Sequence, residues 1–385
     1  MSVVFINCTG ETFTPTRSGA ISTWIWEVCR AAQKDGVEPW VISRSVDAEP
    51  HPWPNKVLID YPWIPQLRGT GLGRVFKIQQ QMTGWGHTRQ KAYINRVLRA
   101  IHANGLEKMP FVLHNDPEMA VHLRRVFPKA RIVHLFHNAN PCHEKFRRAY
   151  GTAVDIAAGV SDFISRWQGD YFGIKGDKLR TIYNGVDLER FAPADRTPEG
   201  RAVINFVGRT DATKGPDILL RAARQVAAKN PNFAVQILGA RFYWGTEPDE
   251  YQTLLDTLSN DLEQEGVPVR RPGVVSRNAL PGELRKAHIH VVPSRWDEPF
   301  GLATLEGMAS GLAVIASRTG GTTEVVDGAG LLFERDSTDQ LADHLTTLLG
   351  DVKLRDEYGV RARARAEKFS WARTWTEIQK ATGAW

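Results

Sequence analysis

Short apolar segments alternate with amphipathic segments along almost the whole chain, and this alternation constrains the fold more than any other feature. In the first half, the apolar runs Val3–Asn7, Phe111–His114 and Ile156–Val160 each lead into a segment whose apolar residues recur at helical spacing. Strands that alternate with helices form parallel sheets, and such strands are apolar throughout because both of their faces are buried. The pattern therefore predicts an α/β fold.

A second round of the same alternation follows a polar stretch in the middle of the chain. The Pro-containing stretch Ala192–Gly200 has the composition of a linker, and apolar runs resume at Val203–Val207. A chain of 385 residues also exceeds what a single hydrophobic core usually organises. We therefore expect two Rossmann-like domains, residues 1–190 and 191–369, with a Trp-bearing C-terminal helix, about 370–385, that packs back on the first domain.

Two glutamates separated by seven residues form the most informative motif of the second half. Glu298 precedes Pro299 in a predicted loop, whereas Glu306 lies inside the helix that begins near Gly301. The first amides of that helix, at Gly301 and Leu302, have no intrahelical partners and carry partial positive charge, which suits a phosphate group. Because ligands of open α/β sheets bind at the carboxyl ends of strands, we expect a ligand site in this loop, which follows an apolar strand.

Two cations follow the first strand of the second half. Arg209 and Lys214 stand in the loop between Val203–Val207 and the next predicted helix. Cations at that place suit a nucleotide sugar, since the negative charge that develops on the leaving diphosphate must be neutralised as the glycosidic bond breaks. No Asp-x-Asp metal motif occurs in the chain. We therefore expect these side chains to act without a divalent metal ion.

Together these motifs resemble those of the GT-B glycosyltransferases of family 4. The matching pieces span almost the whole second half in the right order: Phe206–Arg209 with Lys214–Gly215, Glu298–Glu306, Gly320–Gly321 with Glu324, Asn184–Asp187 and Phe369–Trp371. The resemblance implies a GT-B fold, in which two Rossmann-like domains with parallel sheets face each other across a cleft. It further implies an acceptor site in the first domain, a nucleotide-sugar site in the second, and a reaction that retains anomeric configuration.

The resemblance also implies roles for individual residues. Arg209 and Lys214 would hold the donor diphosphate, Glu298 would contact the hydroxyls of the donor sugar, and Glu306 the ribose, with Val274 bordering the base. The catalytic residues implied are His137, Arg209, Lys214 and Glu298. The donor-binding residues implied are Gly19, Arg209, Lys214, Val274, Glu298, Phe300, Gly301, Leu302 and Glu306. No metal ligand is expected.

The first half resembles the family less specifically. Ser18-Gly19 stands where these enzymes place a glycine-rich loop, although they often have two adjacent glycines there. His137 follows the predicted strand Arg131–Phe136 and resembles the histidine that these enzymes place near the reacting sugar. A histidine whose ring is satisfied by backbone groups is the alternative interpretation.

Residues 63–99 form a basic segment that contains no acidic residue. Its seven Lys and Arg residues are interleaved with Trp63, Phe76, Trp85 and Tyr93. Such a segment suits an anionic membrane surface or a lipid-linked diphosphate, and a solvated helix face is the alternative. We expect peripheral contact with an anionic membrane, and we do not expect nucleic acid as a partner.

The remaining features limit the compartment and the chemistry. The chain has no apolar run long enough to span a membrane, and its three cysteines lack zinc-site spacing. We therefore expect a cytoplasmic protein, peripheral at most on the inner face of the plasma membrane. The expected reaction moves a hexosyl group from a UDP- or GDP-sugar to a glycan, lipid-diphosphate or small-molecule acceptor in exopolysaccharide or surface-glycan assembly. The alternatives are a nucleotide-sugar epimerase of GT-B fold and a transferase acting on a small soluble metabolite.

Overall fold

The chain divides into two compact units. The computed structural model describes residues 2–16, 19–60, 85–194, 200–241 and 250–384, with the backbone alone for residues 85–89. The first unit comprises Met1–Val160, Ile164–Ile182 and Trp371–Trp385, and the second comprises Ser161–Phe163 and Tyr183–Ser370. The chain thus joins the second unit at Tyr183, ahead of the boundary expected after residue 190.

A parallel sheet forms the centre of the first unit. Its strands in the described residues are β1 (Val4–Ile6), β2 (Trp40–Arg44), β3 (Lys56–Ile59), β4 (Phe111–His114), β5 (Ile132–Phe136), β6 (Ile156–Gly159) and β7 (Leu179–Thr181). They lie side by side in the order β3-β2-β1-β4-β5-β6-β7. Every residue of β1, β4, β5 and β6 is buried, which explains why these strands are apolar apart from His114 in β4 and His134 in β5.

Helices connect most successive strands of the first half. They are α1 (Ala20–Lys34), α2 (Trp85–Ala103), α3 (Pro117–Val126), α4 (Glu144–Ala153) and α5 (Asp162–Phe172). The C-terminal helix α13 (Trp371–Thr382) also belongs to the first unit. Its Trp375 is fully buried, and Arg131 donates hydrogen bonds to the carbonyl of Ala381 at the end of α13.

The second unit repeats this architecture with a different sequence. Its strands in the described residues are β8 (Ala202–Val207), β9 (Phe233–Leu238), β10 (Val269–Gly273), β11 (Ile289–Val292), β12 (Ala313–Ser317) and β13 (Leu331–Phe333). Its helices there are α6 (Pro216–Ala227), α7 (Glu250–Gln264), α8 (Leu280–Arg285), α9 (Leu302–Ala309), α10 (Thr322–Val326), α11 (Thr338–Gly350) and α12 (Val352–Ala366). The strand order is β10-β9-β8-β11-β12-β13, and all pairs are parallel.

The strand order reverses direction once in each sheet, and this reversal positions the candidate site. In the second unit, the chain moves from β8 outward to β9 and β10, then returns to place β11 on the other side of β8. β8 and β11 are neighbours at this point of reversal, and the loops that follow them run in opposite directions. A crevice therefore opens between these two loops. The predicted α/β fold with two parallel sheets is confirmed.

The basic segment, residues 63–99, lies within the described residues only from residue 85 onward. The aromatic residues Trp63, Phe76 and Trp85 lie outside the residues whose side chains are described. Residues 75–82, whose sequence pattern predicts a helix, also lie outside the described residues. Tyr93 is fully buried, and its hydroxyl donates to the carbonyl of Asn7. Tyr93 is therefore a core residue of the first unit rather than a surface aromatic. No helix within the described ranges is both long and apolar enough to cross a bilayer.

Candidate active site

The loops after β8 and β11 bring a cation and a carboxylate into direct contact. Lys214 Nζ lies 2.6 Å from Glu298 Oε1, although the two residues are 84 positions apart in the chain. Ser294 Oγ donates a second hydrogen bond, of 2.8 Å, to the same oxygen. The Glu298 side chain is 11% exposed and that of Lys214 is 22% exposed. The pair is thus largely shielded from water yet open on one side.

Backbone contacts fasten these two loops together. The carbonyl of Thr213 accepts hydrogen bonds from the amides of Arg295, at 2.8 Å, and Trp296, at 3.1 Å. Gly215 follows Lys214 and has a φ of +65°, and a Cβ at Gly215 would lie 2.2 Å from the carbonyl oxygen of Pro293. Only glycine satisfies both the backbone angle and the close approach. The separation of Lys214 from Glu298 is therefore set by the backbone and not by the two side chains alone.

A third loop, which follows β12, holds Glu298 from the other side. The amide of Gly321 donates a 2.7 Å hydrogen bond to the carbonyl of Glu298. A Cβ at Gly320, whose φ is +44°, would lie 2.3 Å from that same carbonyl oxygen. The two adjacent glycines thus allow the loop to approach the main chain of Glu298, which fixes the direction of its carboxylate.

Arg295 braces the site, and the sequence interpretation gave it no role. Its guanidinium makes two hydrogen bonds to Asp217, of 2.7 and 2.9 Å, and a third to the carbonyl of Ala212. Burial alone would raise the pKa of the Asp217 carboxyl, but hydrogen bonds from Arg295 and Tyr251 bring it below its ordinary value. The pKa of Arg295 is raised, first by its hydrogen bonds to Asp217. Arg295 therefore joins the β11 loop to the start of α6.

Arg209 lies in the same loop as Lys214 but points to different partners. Its Nη1 is 3.0 Å from Asp211 Oδ2, and its Nη2 donates to Thr213 Oγ1 at 3.3 Å. The side chain is 37% exposed. Arg209 is thus a partly exposed cation of the β8 loop, and its local ion pair with Asp211 would have to rearrange before it could contact a ligand.

The start of α9 supplies backbone donors. Gly301 precedes the helix with a φ of +95°, and Leu302 is the first helical residue. The Phe300 side chain is buried against Tyr183 and Phe369, with ring centroids 6.2 and 5.8 Å away. Only the backbone of Phe300 is therefore available to a ligand, together with the unpaired amides at the beginning of the helix.

Glu306 has an ion-pair partner of its own, and Val274 lies on the surface. Glu306 is buried within α9 and accepts a 2.7 Å hydrogen bond from Arg277 Nη1. Val274 follows β10, which β9 separates from β8, and its side chain is 62% exposed. The structure thus places one predicted residue in an ion pair of its own and the other on an open surface.

The predicted histidine of the first unit belongs to a buried cluster. His137 Nε2 lies 2.9 Å from His114 Nδ1, and the amide of His137 donates to Asn115 Oδ1 at 2.7 Å. The rings of His114 and His137 both make edge contacts with Trp24. Burial lowers the pKa of His137 to about 3. His137 is therefore a neutral side chain at the carboxyl end of β5.

The amide of Gly19 already has a partner inside the first unit. It donates a 2.8 Å hydrogen bond to Glu11 Oε2, and a Cβ at Gly19 would lie 2.2 Å from Glu11 Oε1. Burial raises the pKa of Glu11, an effect that the Gly19 hydrogen bond opposes. Its neighbour Ser18 lies outside the described residues. A ligand at Gly19 would therefore have to displace the Glu11 carboxylate.

The buried histidines make stability depend on pH. Burial lowers the pKa of His134 and His137 to about 3, below the value of about 6.5 in an unfolded chain. Between these pH values the unfolded chain binds protons that the folded chain does not, so the free energy of unfolding decreases as the pH falls from 6.5 toward 3. The Asp116 carboxyl, whose pKa burial raises to about 6, acts in the opposite direction between pH 4 and 6. We expect the histidines to dominate because they are more numerous.

The variant His137→Gln should therefore lose less stability on acidification than the wild type. Between pH 7 and pH 4.5 we expect its melting temperature to fall by roughly 2–4 °C less, the equivalent of about 1 kcal/mol in a unit of this size. The matched control is His102→Gln, since the His102 side chain is 83% exposed. Parallel melting curves for wild type and His137→Gln would contradict this account.

The described residues contain no group of three or more His, Cys, Asp or Glu side chains arranged to hold a metal ion. The donors that could face a phosphate are instead Arg209, Lys214 and the first amides of α9. Side chains of this kind neutralise a diphosphate through charge-assisted hydrogen bonds. The arrangement can bind a sugar phosphate, with cations for the phosphate and a carboxylate for hydroxyl groups.

Two family profiles match adjoining parts of the chain. The profile described as "Glycosyl transferases group 1" matches residues 189–365, and the profile described as "Glycosyltransferase Family 4" matches residues 21–190. The first profile includes Lys214, Glu298 and Glu306, and the second includes His137. The two profiles together extend over most of both units.

Individual proteins are similar over shorter stretches. "Spore coat protein SA" of Bacillus subtilis is 27% identical over 281 residues, 67% of this chain and 74% of that protein. A "D-inositol 3-phosphate glycosyltransferase" of Nocardia farcinica is 34% identical over 53% of this chain. The aligned stretch covers 47% of that protein, so this chain spans about half the length of that relative. These identities exceed those of the structural relatives.

A solved structure shares the fold over the whole chain. The "Crystal structure of Anabaena Alr3699/HepE in complex with UDP and glucose" superposes with a TM-score of 0.70 at 16% sequence identity, covering 100% of both chains. The "Crystal Structure of Glycosyltransferase from Rickettsia africae ESF-5" superposes with the same TM-score, 0.70, at 17% identity, covering 98% of this chain and 97% of that chain. At this level of identity the similarity concerns the fold, which is the GT-B fold of two α/β units.

Proposed function

Since the chain belongs to the group 1 glycosyltransferases of family 4, we propose that it transfers a hexosyl group from a nucleotide sugar to an acceptor hydroxyl. The contact between Lys214 and Glu298 carries this proposal. A sugar diphosphate presents anionic oxygens beside neutral hydroxyl groups, and the pair offers a cation and a hydrogen-bond acceptor 2.6 Å apart. The donor would insert between the two side chains, so that Lys214 exchanges a carboxylate for a phosphate oxygen.

In this proposal the protein acts mainly by stabilising charge. Negative charge develops on the diphosphate as the bond to the sugar breaks, and Lys214, Arg209 and the amides at the start of α9 would bind it there. Glu298 would accept hydrogen bonds from sugar hydroxyls, because Ser294 holds its carboxylate and the Gly321 amide holds its main-chain carbonyl. Oε2 of Glu306 would contact the ribose, because Oε1 is bonded to Arg277. His137 would lie near the reacting sugar.

The reaction is proposed to retain anomeric configuration without a covalent enzyme intermediate. The family resemblance supports retention, and the site supports the absence of a protein nucleophile. When Lys214 turns to the phosphate, Oε1 of Glu298 keeps its hydrogen bond from Ser294 and gains the sugar hydroxyls, which makes it a poor nucleophile. The leaving phosphate would then accept the proton of the acceptor hydroxyl on the same face of the sugar.

The exposed positive charge of α2 bears on the class of acceptor. Lys91 and Arg99 are exposed on α2, so part of the basic segment does present charge to the surroundings. This favours a lipid-diphosphate-linked glycan acceptor at an anionic membrane surface, in exopolysaccharide or surface-glycan assembly. The relative named as a D-inositol 3-phosphate glycosyltransferase makes a small phosphorylated polyol the other acceptor to test.

A thermal-shift panel tests the proposal and identifies the donor. UDP, GDP, ADP and dTDP, with their common sugar conjugates, would be added to wild type and to Lys214→Ala. A ligand at one hundred times its Kd stabilises the folded chain by about 2.7 kcal/mol, so one nucleotide should raise the melting temperature of the wild type and fail to do so with the variant. The conjugate of that nucleotide would then be offered with lipid-diphosphate and polyol acceptors. If no nucleotide stabilises the wild type and no conjugate is consumed, the proposal is wrong.

A further inference from the structure

Arg355 is a buried arginine whose guanidinium has no partner in the described part of the chain. It lies near the start of α12, is 8% exposed, and its Nε is enclosed without a hydrogen bond. Three other arginines of α12 each have a carboxylate partner. Arg361 lies 3.8 Å from Glu357, Arg363 lies 3.0 Å from Glu367, and Arg365 lies 3.2 Å from Asp327.

An unpaired buried cation is costly. A guanidinium stays charged in proteins and presents five N–H donors, and the Nε–H of Arg355 is shielded from solvent without an acceptor. Burial lowers the pKa of Arg355, an effect that the nearby charge of Asp356 opposes in part. Asp356 makes no ion pair with Arg355, however, so the charge is left uncompensated within the described residues. Such a group is retained most readily where a ligand supplies the missing charge.

Arg355 also lines a cavity of about 480 Å³. This volume lies in the range of sites for small molecules. The cavity is at the amino-terminal edge of the sheet, since the lining residues His288 and Gly311 come just before β11 and β12. Lys214 and Glu298 follow the carboxyl ends of β8 and β11, at the opposite edge. The cavity is therefore separate from the candidate active site within the same unit.

We propose that Arg355 binds the phosphate or carboxylate group of a small metabolite in this cavity. A planar guanidinium pairs with such oxyanions through two parallel hydrogen bonds. Asp356 and Glu367 also line the cavity, and Glu367 is bonded to Arg363. Arg363 lines the cavity as well, so two carboxylates offset two guanidiniums in formal charge, which favours a ligand with a single anionic group over one with several. The proposal does not depend on the proposed transferase activity.

Titration with inorganic phosphate and, separately, with acetate tests the site. Melting temperatures would be measured at constant ionic strength with chloride as the balancing anion. The parent is Lys214→Ala, which removes the main phosphate donor of the active site. It is compared with the double variants Lys214→Ala/Arg355→Met and Lys214→Ala/Arg361→Met. Arg361 is the matched control because it lies on the same helix with a side chain 48% exposed.

We expect at least one of the two anions to raise the melting temperature of the parent and of the Arg361 variant along a saturable curve. The rise should reach roughly 5–10 °C at one hundred times Kd. The Arg355 variant should show no such rise. In chloride alone it should melt at the same temperature as the parent or higher, because methionine replaces an unpaired buried charge at similar volume.

Two results would overturn the proposal. One is the absence of a saturable response to both anions in the parent, and the other is an equal response in the Arg355 and Arg361 variants. A crystal structure of the wild type grown in phosphate gives an independent check if a variant fails to fold. An anion within hydrogen-bond distance of the Arg355 guanidinium supports the site, and water alone at that position overturns it.

Discussion

Replacing Glu298 with glutamine should lower kcat/KM for sugar transfer by about 10²–10³, the loss found when one preorganised polar group is removed from an active site. The substitution preserves shape and size, so Ser294 can still donate to the side-chain oxygen and the Gly321 amide can still donate to the main-chain carbonyl of residue 298. It removes the charge that pairs with Lys214 at 2.6 Å and weakens the acceptor for sugar hydroxyls. The measurement is steady-state transfer with the donor identified by the nucleotide panel.

The matched control is Glu334→Gln, because Glu334 pairs with Arg318 on the surface and its side chain is 62% exposed. An exposed ion pair contributes at most about 1 kcal/mol to stability, so this variant should keep wild-type activity and melting temperature. If Glu298→Gln and Glu334→Gln transferred sugar at the same rate, Glu298 would have no part in the reaction.

Replacing Gly215 with alanine should both destabilise the second unit and impair transfer. The φ of +65° costs a non-glycine residue roughly 1–2 kcal/mol, and the new Cβ would lie 2.2 Å from the carbonyl oxygen of Pro293. Overpacking of this kind costs a further 1–3 kcal/mol or so. Relief of the clash would move Lys214 away from Glu298, and a displacement of about 1 Å can cost roughly 10²-fold in rate.

The variant Gly266→Ala separates the cost of backbone strain from the cost of the clash with Pro293. Gly266 has a φ of +86° but no atom within 4 Å of its Cβ position, so this variant bears the backbone cost without the clash. We expect Gly266→Ala to lower the melting temperature by a few degrees and to leave transfer unchanged. Thermal unfolding and steady-state rates measured on both variants check this. Equal melting temperatures for the two variants, with full activity in both, would show that the Pro293 contact does not fix the loop.

The sequence was sufficient to predict the central strands but not the strands at the edges of the sheets. β1, β4 and β11 are buried on both faces, and their residues are apolar except for one histidine in β4 and one in β11. β3 and β10 lie at the sheet edges and are only partly buried, so their sequences mix apolar and polar residues. β3 also lies within a Pro-rich stretch, 49–65, and such a composition favours turns and loops over strands. Partial burial removes the periodic signal on which such predictions depend.

The chemistry of the site was more predictable than its geometry. Lys214 and Glu298 each stand in a loop that follows a strand, and this position indicated that they could bind a ligand. Their spacing in the sequence did not indicate that they contact each other. That contact depends on Gly215 and Gly320, whose close approaches to Pro293 and Glu298 are tertiary features. The burial of the Phe300 side chain and the pairing of Arg295 with Asp217 likewise involve residues distant in the chain. Sequence patterns specify local structure and leave such contacts undetermined.

The most direct test of the central claim is the affinity of Glu298→Gln for the stabilising nucleotide and for its sugar conjugate, measured by isothermal titration calorimetry beside the wild type. Because Lys214 binds the diphosphate and Glu298 the sugar in this account, the variant should bind the nucleotide with a Kd within about twofold of the wild type or tighter. It should bind the sugar conjugate at least about tenfold more weakly than the wild type does, a difference of roughly 1.4 kcal/mol. If the variant bound the sugar conjugate as tightly as the wild type, Glu298 would not contact the donor sugar and the central claim would be contradicted.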